Sequence, residues 1–489
     1  MTSNEHYRFT ELYFEGRWQA GSGAAPLDVQ SPWSGENLAR IAAATVDDVD
    51  RAYGFAKRAQ PAWAGQLPGD RARVFRRAAE LMEARKSEIV DWLVHEAGST
   101  LSKAQLEWWA VHNSVLEAQT LPFRVEGRIL SGDYPGKENR IYRRPVGVVS
   151  VISPWNWPLH LSMRSVAPAL ALGNAVVIKP AGDTPITGGL LIAKLFEEAG
   201  LPPGVLSVVV GPSTIIGDAF VGHAVPRVVS FTGSTEVGRH VGRVALQSQS
   251  LKRTLLELGG NAPLIVTEDV DVNRAAHIAV VGKFLHQGQM CIAVNRILVA
   301  EPIYERFVER FLDLTRALEV GGPQNPRAAL GPIINRNQLE RISSLVEHAR
   351  VEGAQLRLGE PVRGLLMPPR VLTGVTQDMT IARTEIFGPV ASLMSFRSDD
   401  EAVRMANDTE YGLTSGVLCR DLGRATQIAQ RIEAGMTHIN DIPAIDMPQL
   451  PFGGEKNSGL GRFGSHGMVE AFTTEHWISV QHTDSQYPF

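Results

Sequence analysis

The sequence predicts an α/β protein that contains a doubly wound, Rossmann-like parallel sheet and a second α/β unit. Short apolar runs alternate with helical stretches between residues 146 and 257, and a similar alternation follows from 258 to 457. A chain of 489 residues also exceeds one ordinary hydrophobic core, so two or three domains are expected.

The N-terminal part is predicted to begin with two extended segments, at residues 11–18 and 27–41, and to continue as helices. The clearest helical pattern runs from about Asp70 to His95, where apolar residues recur every three or four positions on one side. Arginine and lysine recur on the other side, which is most simply a solvated face.

Each α/β series has five candidate strands with helices between them, and glycines end several of the helices. No linker rich in proline or serine separates the two series, so we expect them to pack closely around a cleft. In the first series the predicted strands are 146–153, 175–179, 205–210, 228–231 and 254–258, and the helices are 161–172, 186–199 and 235–246. In the second, the strands are 264–266, 297–299, 390–394, 415–418 and 437–440, and the helices are 304–318, 338–351 and 424–433.

Composition excludes several classes of partner. With 20% charged residues and a net charge of -4, the chain lacks the basic surface that nucleic acid or an anionic membrane requires. Its two cysteines, Cys291 and Cys419, have no metal-binding spacing and fit a reducing compartment. Because the N-terminus lacks a signal-peptide core and no run approaches a membrane span, we expect a cytoplasmic protein without a metal.

Candidate site residues follow the strands of the first sheet. Asn156 follows the first strand, Lys179 ends the second, Gly233 and Ser234 follow the fourth, and Glu257 ends the fifth. Ligands gather at the carboxyl ends of parallel strands, because loops and helix N-termini present main-chain N–H groups there. These residues are therefore expected to share one site.

Cys291 and Glu257 together indicate chemistry at a carbonyl carbon. A thiolate can attack that carbon, and a carboxylate can then activate water to release the acyl group. Asn156 would donate its amide to the developing oxyanion, with the main-chain N–H of Cys291 as second donor. Each residue also has a plain structural interpretation: a buried small hydrophobe, a surface strand end and a proline-stiffened turn. Cys419, in an ordinary strand, is expected to be inert.

The loop from Gly233 to Gly238 joins a strand to a helix, a context in which glycines let the backbone approach phosphate. It is neither a Walker A loop nor G-x-G-x-x-G, and such loops are most often simple turns. Lys179 could bind ribose or phosphate oxygens, or extend to solvent. Glu385 and the glycine-rich segment 451–459 are either further site loops or turns.

Seven motifs occur in the order ISPWNWP, GNAVVIKPA, FTGSTEVG, LLELGGNAP, GQMCIAVNR, EIFGPV and PFGGEKNSG. Together they resemble the aldehyde dehydrogenase superfamily from about Trp18 to the C-terminus. The resemblance implies NAD(P)-dependent oxidation of an aldehyde to its acid. Cys291 would attack the aldehyde, Asn156 and the Cys291 amide would hold the oxyanion, and Glu257 would activate the water that hydrolyses the resulting thioester.

The resemblance also implies the cofactor contacts. Lys179 would bind the adenosine ribose, Ser234 the pyrophosphate and Glu385 the nicotinamide ribose, with Phe387 near that ring. The complete set of implied cofactor-binding residues is Trp155, Lys179, Gly182, Gly233, Ser234, Gly238, Leu258, Glu385 and Phe387. Gly182 departs from the pattern, because many NAD-preferring relatives carry a glutamate there, so the choice between NAD and NADP stays open.

By the same resemblance, residues 1–126 and 146–257 would form the dinucleotide-binding domain and residues 258–457 the catalytic domain. Residues 127–145 and 470–489 would form a small β element for oligomerisation. We therefore expect a homodimer or a homotetramer.

Two segments, LSMRSVAPALALGN and HINDIPAIDMPQLPFGG, are similar to the benzaldehyde and vanillin dehydrogenase branch. Trp108 or Trp109 would lie at the mouth of the aldehyde tunnel. The motifs place in its wall Trp157, Leu161, Arg164, Met290, Ile292 and Phe452. Such a wall suits an aromatic aldehyde but would also accept an alkyl chain.

Four alternatives are weighed against aromatic aldehyde oxidation. The first is a medium- or long-chain aliphatic aldehyde dehydrogenase, and the second is a CoA-acylating semialdehyde enzyme, which would not need Glu257. A cofactor-independent thiol hydrolase is disfavoured because no histidine lies in a motif that would pair with Cys291. A protein that retains only the fold would be expected to have lost part of the catalytic set.

Overall fold

The structure is a computed structural model that describes residues 7–489. Within this range the chain forms 22 strands and 15 α-helices. The strands are β1 (Leu12–Phe14), β2 (Arg17–Gln19), β3 (Pro26–Gln30), β4 (Asn37–Ala42), β5 (Arg128–Leu130), β6 (Lys137–Pro145), β7 (Val148–Ile152), β8 (Ala175–Lys179), β9 (Leu206–Val208), β10 (Val228–Thr232), β11 (Arg253–Glu257), β12 (Ala262–Val266), β13 (Val294–Ala300), β14 (Gln355–Gly359), β15 (Arg370–Thr373), β16 (Val390–Phe396), β17 (Tyr411–Gly412), β18 (Thr414–Leu418), β19 (Met436–Ile439), β20 (Glu455–Lys456), β21 (Gly459–Leu460) and β22 (Thr473–Gln481). The helices are α1 (Val46–Ala64), α2 (Pro68–Ala84), α3 (Lys86–Ala97), α4 (Leu101–Thr120), α5 (Pro158–Ala171), α6 (Leu191–Glu198), α7 (Ser213–Gly222), α8 (Thr235–Gln247), α9 (Val272–Phe284), α10 (Tyr304–Arg316), α11 (Arg336–Val351), α12 (Thr380–Arg383), α13 (Asp399–Asn407), α14 (Leu422–Ala429) and α15 (Ser465–Phe472).

The first sheet has eight strands in the order β2-β1-β9-β8-β7-β10-β11-β21. The strands from β9 to β11 are parallel, and β8, β7 and β10 are apolar runs that are buried on both faces, as crossover helices require. The strand order reverses between β7 and β10, which is the position where doubly wound sheets bind ligands. The predicted doubly wound fold is confirmed.

Two antiparallel additions extend this sheet. The hairpin of β1 and β2 joins one edge, where Tyr13 pairs with Val208. At the other edge β21 pairs with β11, so that Gly459 lies opposite Glu257. A segment from near the end of the chain therefore borders the strand that carries the proposed general base.

The second sheet has seven strands in the order β14-β15-β16-β13-β12-β18-β19. Its strands are parallel except for β14, which is antiparallel to β15 at the edge. Helices α9, α10 and α11 contribute apolar faces to the core of this unit. The core contains Phe307 of α10 together with Ile297 and Leu393 of the sheet. This core is separate from that of the first sheet, so each α/β series buries its own strands.

A three-stranded antiparallel sheet in the order β22-β6-β5 lies in the segments expected to form a small β element. Strand β22 pairs with β6 over its whole length, from Thr473 opposite Pro145 to Gln481 opposite Lys137. Ile129 and Trp477 on this sheet are 75% and 64% exposed. The sheet thus presents large apolar side chains that nothing in the described chain covers.

Two predicted helices differ in detail. The single helix expected over residues 70–95 is two helices, because Arg85 has non-helical backbone angles (φ -109°, ψ 19°) between α2 and α3. The helix expected over 186–199 begins with a π-helical turn, Ile186–Leu190. There the buried Glu96 carboxylate accepts the main-chain N–H groups of Ile186 and Thr187 at 2.8 and 2.7 Å.

No described helix is long and apolar enough to cross a membrane.

Candidate active site

A cleft of about 480 Å³ lies between the two sheets. A second cavity of about 260 Å³, which we call the tunnel, meets the cleft at Asn156, Leu161 and Cys291. The residues of the cleft wall come from both α/β units and include Trp155, Asn156, Gly233, Ser234, Glu257, Leu258, Cys291, Arg341, Glu385, Phe387 and Tyr411. Cys291 therefore lies where a ligand in the cleft could meet a ligand in the tunnel.

The thiol of Cys291 and the carboxyl group of Glu257 face each other across this junction. Cys291 is partly exposed, whereas Glu257, the last residue of β11, is 1% exposed. Burial raises the pKa of the Cys291 thiol well above its usual range, and the nearby Glu257 carboxylate raises it further. Burial also raises the pKa of Glu257. The resting cysteine is therefore a thiol that needs a neighbouring base, and Glu257 can act as that base.

The chain before Cys291 is held in an unusual backbone conformation. His286 and Gln287 have φ values of 49° and 55°, in the left-handed region that non-glycine residues avoid. Gly288 follows with φ 68°, and a Cβ there would lie 2.3 Å from the carbonyl oxygen of Gly388. This left-handed segment turns the chain out of α9 and brings Cys291 to the junction.

Asn156 is anchored on both sides. Its Nδ2 donates to the main-chain oxygen of Gln289 at 2.9 Å, and its own main-chain oxygen accepts from Lys103 Nζ at 2.8 Å. An amide NH₂ carries two donor hydrogens, so the second remains for an oxyanion. The predicted role of Asn156 as an oxyanion donor is compatible with this geometry.

Lys103 and Glu107, on α4, are functional residues that the sequence did not indicate. They form a fully buried ion pair at 2.5 Å, and Glu107 Oε1 also accepts the N–H groups of Leu159 and His160 at the start of α5. A Lys and a Glu four residues apart normally indicate a solvated helix face. Here the pair fixes Asn156 relative to α5, and only the burial shows it.

The first turn of α8 forms the floor of the cleft. Ser234 caps this helix, its hydroxyl accepting the N–H of Val237. A Cβ at Gly233 would lie 2.5 Å from the Phe231 ring, and one at Gly238 would lie 2.2 Å from the Leu258 side chain. Free main-chain N–H groups at a helix N-terminus and glycines that allow close approach are what a dinucleotide phosphate requires. These residues fit the predicted cofactor.

Glu385 and Lys179 are ionisable groups near the two ends of the expected cofactor site; Lys179 is buried and Glu385 is half-buried. Glu385 lines the cleft and accepts the N–H of Gly260 at 2.9 Å, and burial raises its pKa to about 7. Lys179 donates to the Ser213 hydroxyl at 2.8 Å, and burial lowers its pKa to about 8. Gly182 lines a separate open pocket beside Asp183. The cofactor contacts of Lys179 and Gly182 stay predictions.

The tunnel has an almost entirely apolar wall. Trp109 lies in it and is 53% exposed, whereas Trp108 is buried with its indole N–H donating to Met82 O, away from the tunnel. Five of the six predicted wall residues are present, namely Trp157, Leu161, Met290, Ile292 and Phe452. Additional wall residues, missed in the sequence, are Leu106, Leu285, Ile442, Ala444, Ile445 and Met447.

Arg164 is a correction to the predicted wall. Its position in the motifs predicted a place in the tunnel wall, but its guanidinium lies behind Glu257. There Nη2 lies 3.4 Å from Glu257 Oε2, and Nη1 lies 3.4 Å from Asp446 Oδ2. Buried carboxylates attract the cation away from an apolar surface, because a buried charge is stable only when it is paired.

Other residues of the cleft came from segments without a recognisable pattern. Arg341 donates to the main-chain oxygens of Glu385 and Ile386, at 3.2 and 2.5 Å, and so fixes the turn that carries Glu385. Tyr411 lines the cleft beside it. Arg341 lies on the amphipathic helix α11, where an arginine is ordinarily part of the solvated face, so no sequence signal marks it.

Residues 18–478 match the aldehyde dehydrogenase family. The chain belongs to the aldehyde dehydrogenase family. It is an NAD(P)-dependent aldehyde dehydrogenase, and the predicted family, reaction and cofactor class are confirmed.

Similar proteins cover almost the whole chain of this aldehyde dehydrogenase. A vanillin dehydrogenase of Corynebacterium glutamicum is 47% identical over 96% of the chain and 98% of its own length. The crystal structure of an NAD-dependent benzaldehyde dehydrogenase from Corynebacterium glutamicum has a TM-score of 0.90 at 44% identity, with 98% of each chain covered. A salicylaldehyde dehydrogenase of Pseudomonas putida, complexed with salicylaldehyde, has a TM-score of 0.95 at 36% identity and covers 98% of this chain and 99% of its own.

Proposed function

We propose that this aldehyde dehydrogenase oxidises apolar aromatic aldehydes, of the benzaldehyde and vanillin type, to their carboxylic acids. The observation that supports this substrate class most directly is the tunnel of about 260 Å³ that ends at Cys291. Its wall is apolar and includes the aromatic rings of Trp109, Trp157 and Phe452. The relatives named for vanillin, benzaldehyde and salicylaldehyde point to the same class.

The first half of the reaction forms a bond between the Cys291 sulfur and the aldehyde carbon. Glu257 accepts the thiol proton, and the thiolate attacks the carbonyl carbon of the aldehyde in the tunnel. The resulting oxyanion accepts hydrogen bonds from Asn156 Nδ2 and from the main-chain N–H of Cys291. Removing one such donor typically costs ~3–4 kcal/mol in the transition state.

Ser234 and the first turn of α8 would hold the cofactor phosphates, and Glu385 would hold the ribose next to the reacting carbon. When bound, NAD(P)⁺ supplies the hydride acceptor that converts the thiohemiacetal into a thioester. Phe387, in the left-handed region at φ 53°, packs edge-on against Trp155 with ring centroids 5.4 Å apart. These two rings close one side of the cleft.

The second half is hydrolysis of the thioester on Cys291. Glu257 first releases the thiol proton to solvent. It then takes a proton from water, whose oxygen attacks the thioester carbon, and the carbon–sulfur bond breaks to release the acid and the thiolate, which Glu257 reprotonates. Glu257 therefore acts as base in both halves. A CoA-acylating enzyme would transfer the acyl group to a thiol instead, and would not need a base for water.

A panel of benzaldehyde, vanillin and octanal, each with NAD⁺ and with NADP⁺, tests the substrate class. We expect kcat/KM to be at least tenfold higher for the two aromatic aldehydes than for octanal. A preference for octanal would instead establish the aliphatic alternative, which the same apolar wall could accept. Added CoA should leave the rate unchanged, and acceleration by CoA would favour the acylating enzyme.

Domain roles, assembly and compartment belong to the same proposal. The first sheet is the core of the cofactor domain, formed by residues 1–126 and 146–257, and the second sheet is the core of the catalytic domain at 258–457. The sheet of β5, β6 and β22 is the oligomerisation element of a homodimer or homotetramer in the cytoplasm, and its exposed Ile129 and Trp477 support this role. Light scattering after gel filtration measures the assembly, and a monomer at micromolar concentration would contradict it.

A further inference from the structure

Behind Glu257 lies a row of ionisable side chains, mostly buried, that the hydride-transfer step does not use. Its members, which we call the charged row, are Glu257, Arg164, Asp446 and His160. Arg164 contacts both carboxyl groups at 3.4 Å, and His160 Nε2 lies 2.9 Å from Asp446 Oδ2. The side chains of Glu257 and Arg164 are 1% and 5% exposed, so solvent screens their interaction little.

The guanidinium of Arg164 is held in place by more than its ion pairs. It lies between two rings, with its central carbon 4.7 Å from the centroid of Phe452 and 4.1 Å from that of Phe463. Nη2 also donates to the Thr232 hydroxyl at 3.2 Å. Contact with both rings restricts the movement of the group, so Arg164 presents Nη2 to Glu257 in one direction.

Arg164 and Asp446 act on Glu257 in opposite directions. Burial raises the pKa of Glu257, the Arg164 charge and the hydrogen bonds from Cys291 and Arg164 lower it, and the Asp446 charge raises it again. Burial also opposes ionisation of Asp446, but His160 and Arg164 outweigh it and lower the pKa of that carboxyl. Glu385 is a further carboxyl group whose charge interacts with Glu257 and Cys291. The positive charge of Arg164 lowers the pKa of Glu257 and so makes it a weaker base. Asp446 offsets part of this effect.

The partners of Glu257 change during the reaction. In the resting enzyme the carboxyl group interacts with the Cys291 thiol and with Arg164. In the acyl-enzyme the sulfur carries the acyl group and has no proton to donate. Of the donors found around Glu257 in the described chain, Arg164 is then the one that remains.

We propose that Arg164 and Asp446 are positioning residues that hold Glu257 in place to deprotonate water, and that they control thioester hydrolysis rather than hydride transfer. This inference rests on the aldehyde oxidation proposed above. Asp446 and His160 also line the tunnel, so the charged row connects the pocket of the acyl group with the base.

Stopped-flow measurement of NADH formation separates the two halves. In Arg164→Met we expect a burst of about one NADH per active site, followed by a steady state at least tenfold slower than wild type. Hydroxylamine, which needs no general base, should restore turnover by attacking the thioester carbon and displacing the Cys291 thiolate to give the hydroxamate. Arg164→Lys should recover part of the steady-state rate.

The pH profile of the steady-state kcat provides a readout that loss of folding would not move. Without the Arg164 charge, Glu257 ionises at higher pH, so the acidic limb should move to higher pH in Arg164→Met. In Asp446→Asn the Arg164 charge is no longer offset, so the pKa of Glu257 falls and the acidic limb of the profile should move to lower pH. If Arg164→Met does not fold, the shift of Asp446→Asn to lower pH and the reduced steady-state rate of Arg164→Lys remain measurable.

Arg71→Met is the matched control. Arg71 is also a buried arginine, but its guanidinium donates to main-chain oxygens, including Gln66 O at 2.6 Å and Ala171 O at 3.1 Å. Its loss should lower thermal stability without producing a burst. The proposal is overturned if Arg164→Met loses rate without a burst, or if the acidic limb does not move. The assay uses whichever aldehyde the wild type oxidises fastest, so a preference for octanal would refute the aromatic substrate class and leave this test intact.

Discussion

Gly260 lies directly against the main-chain oxygen of Cys291, and a Cβ at Gly260 would be 2.0 Å from that oxygen. Because the contact is with backbone, no side-chain rotation could relieve it. Gly260 is three residues beyond Glu257, so this approach joins the strand of the base to the loop of the nucleophile. The second glycine of the Leu-Gly-Gly motif is therefore needed for the spacing of the two reacting groups.

Gly260→Ala is expected to displace the Cys291 loop and lower kcat/KM at least tenfold, with a loss of ~1–3 kcal/mol in unfolding free energy from overpacking. Aldehyde kinetics and denaturant unfolding measure the two effects. Gly69→Ala is the control, because a Cβ there meets nothing within 4 Å and Gly69 lies in the first turn of α2. Equal activity of both variants would show that the close contact is unimportant.

Glu257→Gln should slow acylation and hydrolysis together at neutral pH, because Glu257 is the base for the Cys291 thiol and for water. Without the carboxylate no base remains for water, so we expect the steady-state kcat to fall about 10²–10⁴-fold. At alkaline pH, where the Cys291 thiol ionises without a neighbouring base, the acyl-enzyme should accumulate, and mass spectrometry would detect it as an added acyl mass on Cys291. A variant that turns over at the wild-type rate would remove Glu257 from the mechanism.

The activity should rise with pH from neutral into the alkaline range. Burial, followed by the Glu257 charge, raises the pKa of the Cys291 thiol, and burial raises that of Glu257. Both groups react in their deprotonated forms, so activity is present above these pKa values and is lost as pH falls through them. A plot of log kcat/KM should rise by about one per pH unit between the pKa of Glu257 and that of the thiol. A pH profile that is flat from mildly acidic pH upward would contradict the raised pKa values of these two groups.

Cofactor affinity should fall as pH rises through about 8. Burial lowers the pKa of Lys179 to about 8, so the ammonium that would bind cofactor oxygens is present below that pH and is lost above it. Lys179→Gln should weaken binding roughly tenfold near neutral pH and abolish the pH dependence. Fluorescence titration of the apoenzyme with NADH measures both effects, and an unchanged affinity in Lys179→Gln would exclude the contact.

Gly182→Glu should select against NADP. A Cβ at Gly182 would have Leu27 Cδ1 as its nearest neighbour, at 3.8 Å, so a side chain fits there. The added carboxylate would repel a 2′-phosphate, and we expect kcat/KM with NADP⁺ to fall at least ~tenfold while that with NAD⁺ is maintained. Gly182→Gln controls for size, and an equal loss in both variants would mean that the side chain acts by bulk.

Much of the fold could be predicted, because buried parallel strands are visible in the sequence as short apolar runs. Strand β8 was predicted with its correct bounds, since an uninterrupted apolar run lies between Asn174 and Pro180. The site followed from the same logic: residues at the carboxyl ends of neighbouring strands converge. Cys291 and Glu257 do meet, although Glu257 ends a strand of the first sheet and Cys291 lies in the loop before a strand of the second.

Charge pairing was not predictable in the same way. Arg164 and Leu161 lie on one side of α5, and periodicity cannot show that the guanidinium turns toward Asp446, 282 residues further along the chain. The pair of Lys103 and Glu107 has the same spacing as an exposed pair, and only its burial shows that it supports Asn156. Such partners depend on tertiary contacts between distant segments.

The pairing of β21 with β11 has a consequence for biosynthesis. Gly459 lies opposite Glu257, and Leu258 donates its N–H to Ser458 O, so residues translated about two hundred codons later cover the edge beside the base. On the ribosome, a nascent chain that has formed the parallel strands of the first sheet still has the β11 edge unpaired. Catalytic competence therefore arrives only with the final stretch of translation, and a premature stop codon ahead of Ser458 would remove this edge strand together with the core residues Phe463, Met468 and Phe472.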